Sequence, residues 1–137
     1  MTENIFAVVA ELIPSNITVH EGQSRLSTPP VLTDYPHVTV WGTLPNDQSE
    51  NLADQPSRFQ ATIRLTYAAT SGSSLFWIVT RVREALEGAQ PQIDGYYIER
   101  LKPRSLMPLQ RDAEVTLQGG LNPLFAIDET PLIAQRA

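Results

Sequence analysis

The feature that most constrains the fold is the stretch from Arg58 to Ala69, RFQATIRLTYAA, in which apolar and polar side chains alternate. This period of two is that of a β-strand with one buried face and one face in water. The chain is therefore predicted to contain a sheet that is covered on one side only. The apolar positions of the strand are Phe59, Ala61, Ile63, Leu65 and Tyr67.

A second periodic stretch, residues 73–88 (SSLFWIVTRVREALEG), predicts the covering layer. Its apolar residues recur at spacings of three, four and seven, which places them on one side of a helix. Ser73 or Ser74 is predicted to cap the first turn, and Gly88 to end the helix in the left-handed conformation. The apolar stripe consists of Leu75, Ile78, Val79, Val82, Ala85 and Leu86.

The remaining segments complete a single domain over residues 1–137. Residues 3–13 predict a first helix that stops at Pro14, and a last strand within residues 123–134 is predicted to break near Pro131, at an edge or a bulge. Extended runs lie at 17–20, 35–43 and 96–102, and turn-rich loops at 21–33, 44–57 and 103–123. The predicted fold class is α+β, an antiparallel or mixed β-sheet with two helices packed on one face.

Composition removes several classes of function. The chain has no cysteine, which excludes disulfides, thiolate catalysis and cysteine-ligated zinc or iron–sulfur sites. No apolar run approaches the roughly 18 residues of a membrane helix, so no membrane partner is expected. The N-terminal segment contains Glu3 and Glu11 and does not resemble a secretory signal, which favours synthesis in the cytoplasm.

Charge is distributed unevenly along the chain. Residues 1–57 carry seven acidic residues and one basic residue (net −6), residues 58–111 carry four acidic and eight basic (net +4), and residues 112–137 are net −3. This polarity favours an acidic face of one copy meeting a basic face of another over general nucleic-acid binding. The alternative is that the distribution has no consequence for assembly.

The sequence contains no motif that supports catalysis or cofactor binding. His20 and His37 each have an acidic residue nearby, but neither a nucleophile motif nor a metal-binding spacing accompanies them, so both are predicted to be ordinary strand residues. Gly119-Gly120 lacks the lysine and the strand-to-helix setting of a phosphate-binding loop. The sequence therefore predicts no enzyme activity, no metal and no cofactor.

Several basic and aromatic residues are candidates for surface contacts. The basic residues Arg81, Arg83, Arg100, Lys102 and Arg104 form either a patch for nucleic-acid phosphates or a solvated, subunit-facing surface, and the nearby glutamates favour the second. In each of the pairs Phe76-Trp77 and Tyr96-Tyr97, one ring is expected either to be exposed at an interface or to cover the edge of the core.

The order of these segments resembles the small tail-terminator, or tail-completion, proteins of tailed bacteriophages. The resemblance covers nearly the whole chain. It rests on YPHVTVWG, the acidic loop, RFQATIRLTYAA, LFWIVTRVREALEGAQPQIDG and NPLFAIDETPLIA, and most directly on Trp77, Arg81-Val82-Arg83, Ala85-Leu86, Gly88 and Asp94-Gly95.

This resemblance implies an assembly role in the virion, without a chemical reaction. A ring, expected to hold six copies, would sit on the last ring of tail-tube subunits, stop tube polymerisation and present a face to the neck and head-completion proteins. DNA would pass through its lumen without sequence-specific binding. The closest alternative is another neck or head–tail joining protein, followed by a small ligand-binding domain or hydrolase that uses His20 or His37.

The ring implied by the resemblance suggests roles for surface segments and residues. Loops 44–57 and 103–123 are expected to reach between subunits or to the tube. Subunit or tube contacts are expected at Asp47, Glu50, Asp54, Arg81, Arg83, Glu84, Arg104 and Arg111. Arg100 and Lys102 are expected to face the lumen and the DNA.

Overall fold

The computed structural model describes residues 5–21, 35–42, 46–48, 58–113 and 115–136. The helices are α1 (Ile5–Ala10) and α2 (Gly72–Leu86). The strands are β1 (Val19–Glu21), β2 (His37–Gly42), β3 (Asn46–Gln48), β4 (Arg58–Ala69), β5 (Tyr96–Ile98), β6 (Arg104–Arg111) and β7 (Leu124–Arg136). Neither of the described helices has the length and apolar character needed to cross a bilayer.

One mixed sheet contains these seven strands, and β4 and β7 form its centre. The two pair antiparallel along the whole of β4, from Arg58 opposite Gln135 to Ala69 opposite Leu124. β2 and β3 share the outer border of β4, and β1 lies beyond β2 and runs parallel to it. β5 and β6 share the outer border of β7. The sheet therefore ends in β1 and β3 on one side and in β5 and β6 on the other.

Both helices lie over the same face of this sheet and share one core with it. The alternating apolar residues of β4 are all at most 1% exposed, as their pattern predicts. α1 contributes Ile5 and Val9, next to β1 and β2. The residues that α2 buries are Leu75, Ile78, Val82 and Leu86. The predicted α+β class is therefore confirmed.

The start of α2 is set by a different serine from the predicted ones. Ser71 is the cap, because its backbone is extended and its hydroxyl accepts a hydrogen bond from the Ser74 N–H at 3.2 Å. Ser73 and Ser74 lie inside the first turn, so the prediction that either is the cap is wrong: a cap must precede the residues whose N–H groups it satisfies. Gly88 follows the helix end with φ of +75°, as predicted, and its N–H donates to the Leu101 carbonyl at 2.8 Å.

Only part of the predicted irregular loop 103–123 is irregular: residues 112–113 and 115–123 have no strand, but residues 104–111 do. Residues 104–111 form β6, whose register against β7 shifts between Ser105 and Met107 and again between Met107 and Gln110. Pro108 lies within the second shift, where an edge strand tolerates a residue without an N–H. Of the three prolines that predicted a loop, Pro108 is accommodated by an irregularity of an edge strand, and Pro103 and Pro123 lie outside the strands.

The other two predicted loops lie mostly outside the described residues. In the predicted loop 44–57, residues 46–48 form β3 and pair with residues 58–60 of β4, so this part is a strand. Residues 44–45 and 49–57 lie outside the described residues. In the predicted loop 21–33, Glu21 ends β1, and the rest also lies outside them.

β7 runs through Pro131 without the predicted break. The Ile133 carbonyl accepts a hydrogen bond from the Glu99 N–H at 3.0 Å on the outer side of β7. Since backbone groups two residues apart on a strand point to the same side, the Pro131 nitrogen also points outward. β5 pairs with residues 134–136 and β6 with residues 124–129, so no described strand faces Pro131 there. Pro131 thus lies in a gap on the outer border of β7, which we call the β5–β6 gap. No strand accepts a hydrogen bond from this position, so a residue without an N–H is tolerated there.

Candidate interaction surfaces

The two ends of the sheet carry opposite charge. Residues 96–111, which contain β5, β6 and their connection, form a basic edge: Glu99 is its one acidic residue, and its four basic side chains are exposed. Residues 5–21, which contain α1 and β1, form an acidic edge, where Glu11 and Glu21 are exposed and no lysine or arginine occurs. The basic residues are Arg100, Lys102, Arg104 and Arg111. The uneven distribution of charge along the sequence thus becomes a separation of charge between the two ends of the sheet.

Two arginines of the basic edge are anchored within the chain. The Arg104 Nη2 lies 2.9 Å from Glu129 Oε1, yet the Arg104 side chain is 69% exposed. The Arg100 Nη1 donates to the carbonyl of Gly88 at 2.9 Å, just beyond α2. Arg100 and Lys102, the predicted lumen residues, line a cleft of about 430 Å³ beside the β5–β6 gap. Their charges are thus placed together, as a shared lumen-facing role requires, and that role stays a prediction.

Two of the predicted subunit contacts on α2 are exposed and pair with each other. The Arg81 Nη1 lies 3.7 Å from the Glu84 Oε2, and the side chains are 55% and 63% exposed. A solvent-exposed pair of this spacing contributes only about 0.5 kcal/mol, so a partner subunit could replace it at little cost.

Arg83, also predicted to face a neighbouring subunit, forms hydrogen bonds with the sheet. Its Nε donates to Asp128 Oδ2 at 2.7 Å and its Nη2 to Asp128 Oδ1 at 2.6 Å. The Tyr67 hydroxyl donates to the same carboxylate at 2.9 Å. Asp128 is 1% exposed, so its buried charge depends on these bonds. Arg83 is thus both exposed, at 44% of its side chain, and bound to Asp128, 45 residues away in the sequence, and its predicted contact with a neighbouring subunit stays a prediction.

This network shifts the proton affinity of two of its members. Burial, followed by the adjacent Asp128 carboxylate, raises the pKa of the Tyr67 hydroxyl far above its ordinary value. The hydrogen bond to Asp128 raises the pKa of the Arg83 guanidinium. Both groups keep their protons around neutral pH, so the hydrogen bonds that join α2 to β7 persist there.

A groove, the α2–β6 groove, runs between these two elements on the helix side of the sheet and encloses about 170 Å³. Phe76, Val79 and Arg83 line it from one flank of α2, at spacings of three and four. Across from them lie Ser105, Met107 and Leu109 of β6. Of the described residues that line the groove, Arg83 alone is charged. The groove is thus apolar with a cation in its wall.

One ring of each predicted aromatic pair is strongly exposed. Phe76, at the rim of the α2–β6 groove, is 74% exposed, and Tyr97 on β5 is 60% exposed. Leu109, on the other rim of the groove, is 52% exposed. Large apolar side chains that remain this accessible are typical of surfaces that bind another molecule.

A larger cavity, of about 460 Å³, opens on the face of the sheet opposite to α2. Its polar lining comes from Tyr35, His37, Thr39, Thr66 and Asp112. His37 and Thr39 are only 3% and 7% exposed. The parallel pairing of β1 with β2 places the His20 and His37 rings 5.1 Å apart, centroid to centroid, a proximity that sequence spacing did not reveal. Among the described residues, no group of three or more His, Cys, Asp and Glu is placed to hold a metal ion.

The remaining predicted contacts belong to the acidic segment before β4. Asp47 lies in β3, where its backbone pairs with Phe59 at the start of β4. Glu50 and Asp54 lie outside the described residues. The predicted contacts therefore fall on both borders of the sheet and on α2, and the structure does not gather them into a single patch.

The comparisons with known proteins assign no role to these surfaces. No protein-family model matches the chain, and a search of curated proteins finds no significant match.

Proposed function

We propose that this chain is a structural virion protein that forms a ring, of six copies, at the head-proximal end of a bacteriophage tail tube. In this role it stops tube polymerisation and offers a docking face to the neck. The proposal starts from the resemblance of the sequence to tail terminators, and the polarity of the folded chain supports it. No bond is made or broken in this function, and no cofactor is needed.

The observation that carries the proposal is the placement of opposite charges at opposite ends of one sheet. A closed ring of identical subunits needs two different, complementary surfaces on each copy, because each contact joins the front of one subunit to the back of the next. The basic edge, with Lys102 and Arg111 exposed, and the acidic edge, with Glu11 and Glu21 exposed, form such a pair. A symmetric dimer formed through either edge alone would bring like charges together.

Tube assembly in vitro provides the test. Polymerising tail-tube subunits should give shorter tubes when this protein is added, and electron microscopy should show a ring at one end of each tube. Arg111→Glu, which reverses one charge of the basic edge, should weaken ring formation, whereas Glu87→Gln, an exposed position at the C-terminal cap of α2, should not. Binding to a neck or portal assembly with unchanged tube length would instead identify another head–tail joining protein. Absence of binding to either assembly would refute a place in the tail.

The 460 Å³ cavity favours a second candidate, a small ligand-binding domain. Its volume lies in the usual range for small-molecule sites, and polar groups such as Thr39 and Asp112 converge on apolar walls. A His20→Gln, His37→Gln variant separates the candidates, because glutamine keeps hydrogen-bonding capacity without the imidazole. The ring function predicts that tube capping persists in this variant. If the variant folds but no longer caps tubes, the histidines at and beside the cavity are needed for function, which would favour the second candidate.

A further inference from the structure

The α2–β6 groove has the dimensions of a pocket for one large apolar side chain. An engineered protein cavity of about 150 Å³ binds benzene, and this groove encloses about 170 Å³. Val79 and Met107 form apolar walls, while Phe76 and Leu109 stand exposed on opposite rims. Apolar rims around an unfilled apolar pocket are what an incoming side chain would cover, with a gain of about 25 cal/mol for each Å² removed from water.

Arg83 sets the charge of the groove. Two of the five N–H donors of its guanidinium bind Asp128. The Arg83 side chain is still 44% exposed and lines the groove, so the guanidinium N–H groups that Asp128 does not use are available at the groove wall. Because Asp128 holds the guanidinium in place, a carboxylate arriving here would meet a fixed donor and lose little of its binding energy to ordering Arg83. The groove therefore suits an apolar side chain that has an acidic neighbour.

We propose that the α2–β6 groove receives the acidic edge of a second copy of this chain, in a head-to-tail contact. The chain itself supplies the complementary chemistry: just after α1, exposed Glu11 is followed by Leu12, which packs only in part against its own core, and Glu21 is exposed on β1. The groove lies beside the basic edge, at the opposite end of the sheet from α1, so one copy cannot satisfy its own groove. This inference rests on the ring of the proposed function and names the surface that joins its subunits.

A pair of matched variants tests the apolar part of the contact. Phe76→Ser with Leu109→Ser removes both rims, and the association constant, measured by analytical ultracentrifugation at low salt, should fall at least tenfold. Leu106→Ser is the control, because Leu106 lies on the same strand and is 42% exposed but does not line the groove. The control should associate like the parent chain. Thermal unfolding checks that all three proteins are folded.

Cross-linking tests which surface enters the groove. Because the chain has no cysteine, each introduced thiol is unique. One sample carries Leu109→Cys and another Glu11→Cys, and a mixture of the two treated with a short bismaleimide should give a mixed dimer. Glu87→Cys, on the exposed far end of α2, replaces Leu109→Cys in the control mixture and should cross-link at least tenfold less.

The outcomes separate this proposal from the proposed function. If the parent chain associates and the rim variant associates equally well, the groove is not the contact, although the ring remains. If the parent chain stays monomeric at its highest soluble concentration and no mixed dimer forms, the proposal is likewise overturned. The tube-capping experiment then decides independently whether the chain acts at the tail.

Discussion

The guanidinium of Arg83 donates two hydrogen bonds to the carboxylate of Asp128, and these bonds connect α2 to β7. The contact joins an exposed flank of the helix to a strand position that is 1% exposed. It also fixes the wall of the α2–β6 groove. Stability and the shape of the candidate interface are therefore coupled through this one pair.

Arg83→Met should destabilise the fold, because it leaves the Asp128 carboxylate buried with Tyr67 as its remaining hydrogen-bond donor. Loss of one partner from a buried ion pair costs about 3–5 kcal/mol. We expect the lower end, about 3 kcal/mol, since the Arg83 side chain is 44% exposed. Urea unfolding measures the change. Arg81→Met is the control and should alter the free energy of unfolding by less than about 0.5 kcal/mol; equal effects of the two changes would show that the Asp128 contact does not contribute to stability.

Tyr67→Phe should change how stability depends on alkaline pH. Because burial and Asp128 raise the pKa of Tyr67 in the folded state, only the unfolded chain releases this proton as the pH passes about 10. Tyr67 therefore contributes stability below about pH 10 that is lost as the pH rises further. Between about pH 10 and pH 11, the free energy of unfolding of the parent chain should fall by about 1 kcal/mol more than that of the variant. Parallel curves would contradict a raised pKa.

Gly42→Ala should be strongly destabilising. Gly42 has φ of +146°, and a Cβ at this position would lie 1.9 Å from the Thr62 carbonyl oxygen. Strain in such a backbone region costs about 1–3 kcal/mol before the steric clash is added. Gly72→Ala is the matched control, because no atom lies within 4 Å of its added Cβ and α2 begins there. Its melting temperature should stay within a few degrees of the parent's, whereas Gly42→Ala should melt at least about 10 °C lower.

Val82→Asp should prevent soluble folding, since Val82 is 0% exposed at the centre of the α2 stripe and an unpaired charge there has no partner. Arg81→Asp, on the exposed side of the same turn, should remain soluble. Expression and thermal melting compare the two. A Val82→Asp protein that melts like the parent would mean that α2 presents a different face to the sheet.

The regular elements could be predicted from sequence because their periodicity reports burial directly. The alternation in β4 and the stripe in α2 each arise from one face meeting the core, and both predictions are confirmed. β6 was not predicted because nearly all of its side chains are exposed, so burial produces no alternation of apolar and polar residues. Pro108 also suggested a loop. The boundary of α2 was misplaced because three serines stand within four residues of its start, and pattern alone does not choose the cap.

The candidate surfaces were less predictable because they combine residues that are distant along the chain. Asp128 falls on the same alternate positions of β7 as Leu132 and Ala134, which are buried under the helices. An acidic residue at a position where the alternation of the strand predicts burial indicates a buried partner. The alternation does not identify that partner as Arg83. The α2–β6 groove likewise exists only after α2 and β6 are brought together by β7.

The β5–β6 gap limits what can attach to this side of the molecule. Since Pro131 separates two short ladders on one border of β7, a stray polypeptide meets no long continuous row of unpaired backbone groups there. Fibril formation by continuous pairing of strands from many chains requires such a row of unpaired backbone groups. The border of β7 is thus protected from further strand pairing, while exposed side chains beside it, such as those of Tyr97 and Leu109, stay available for contacts.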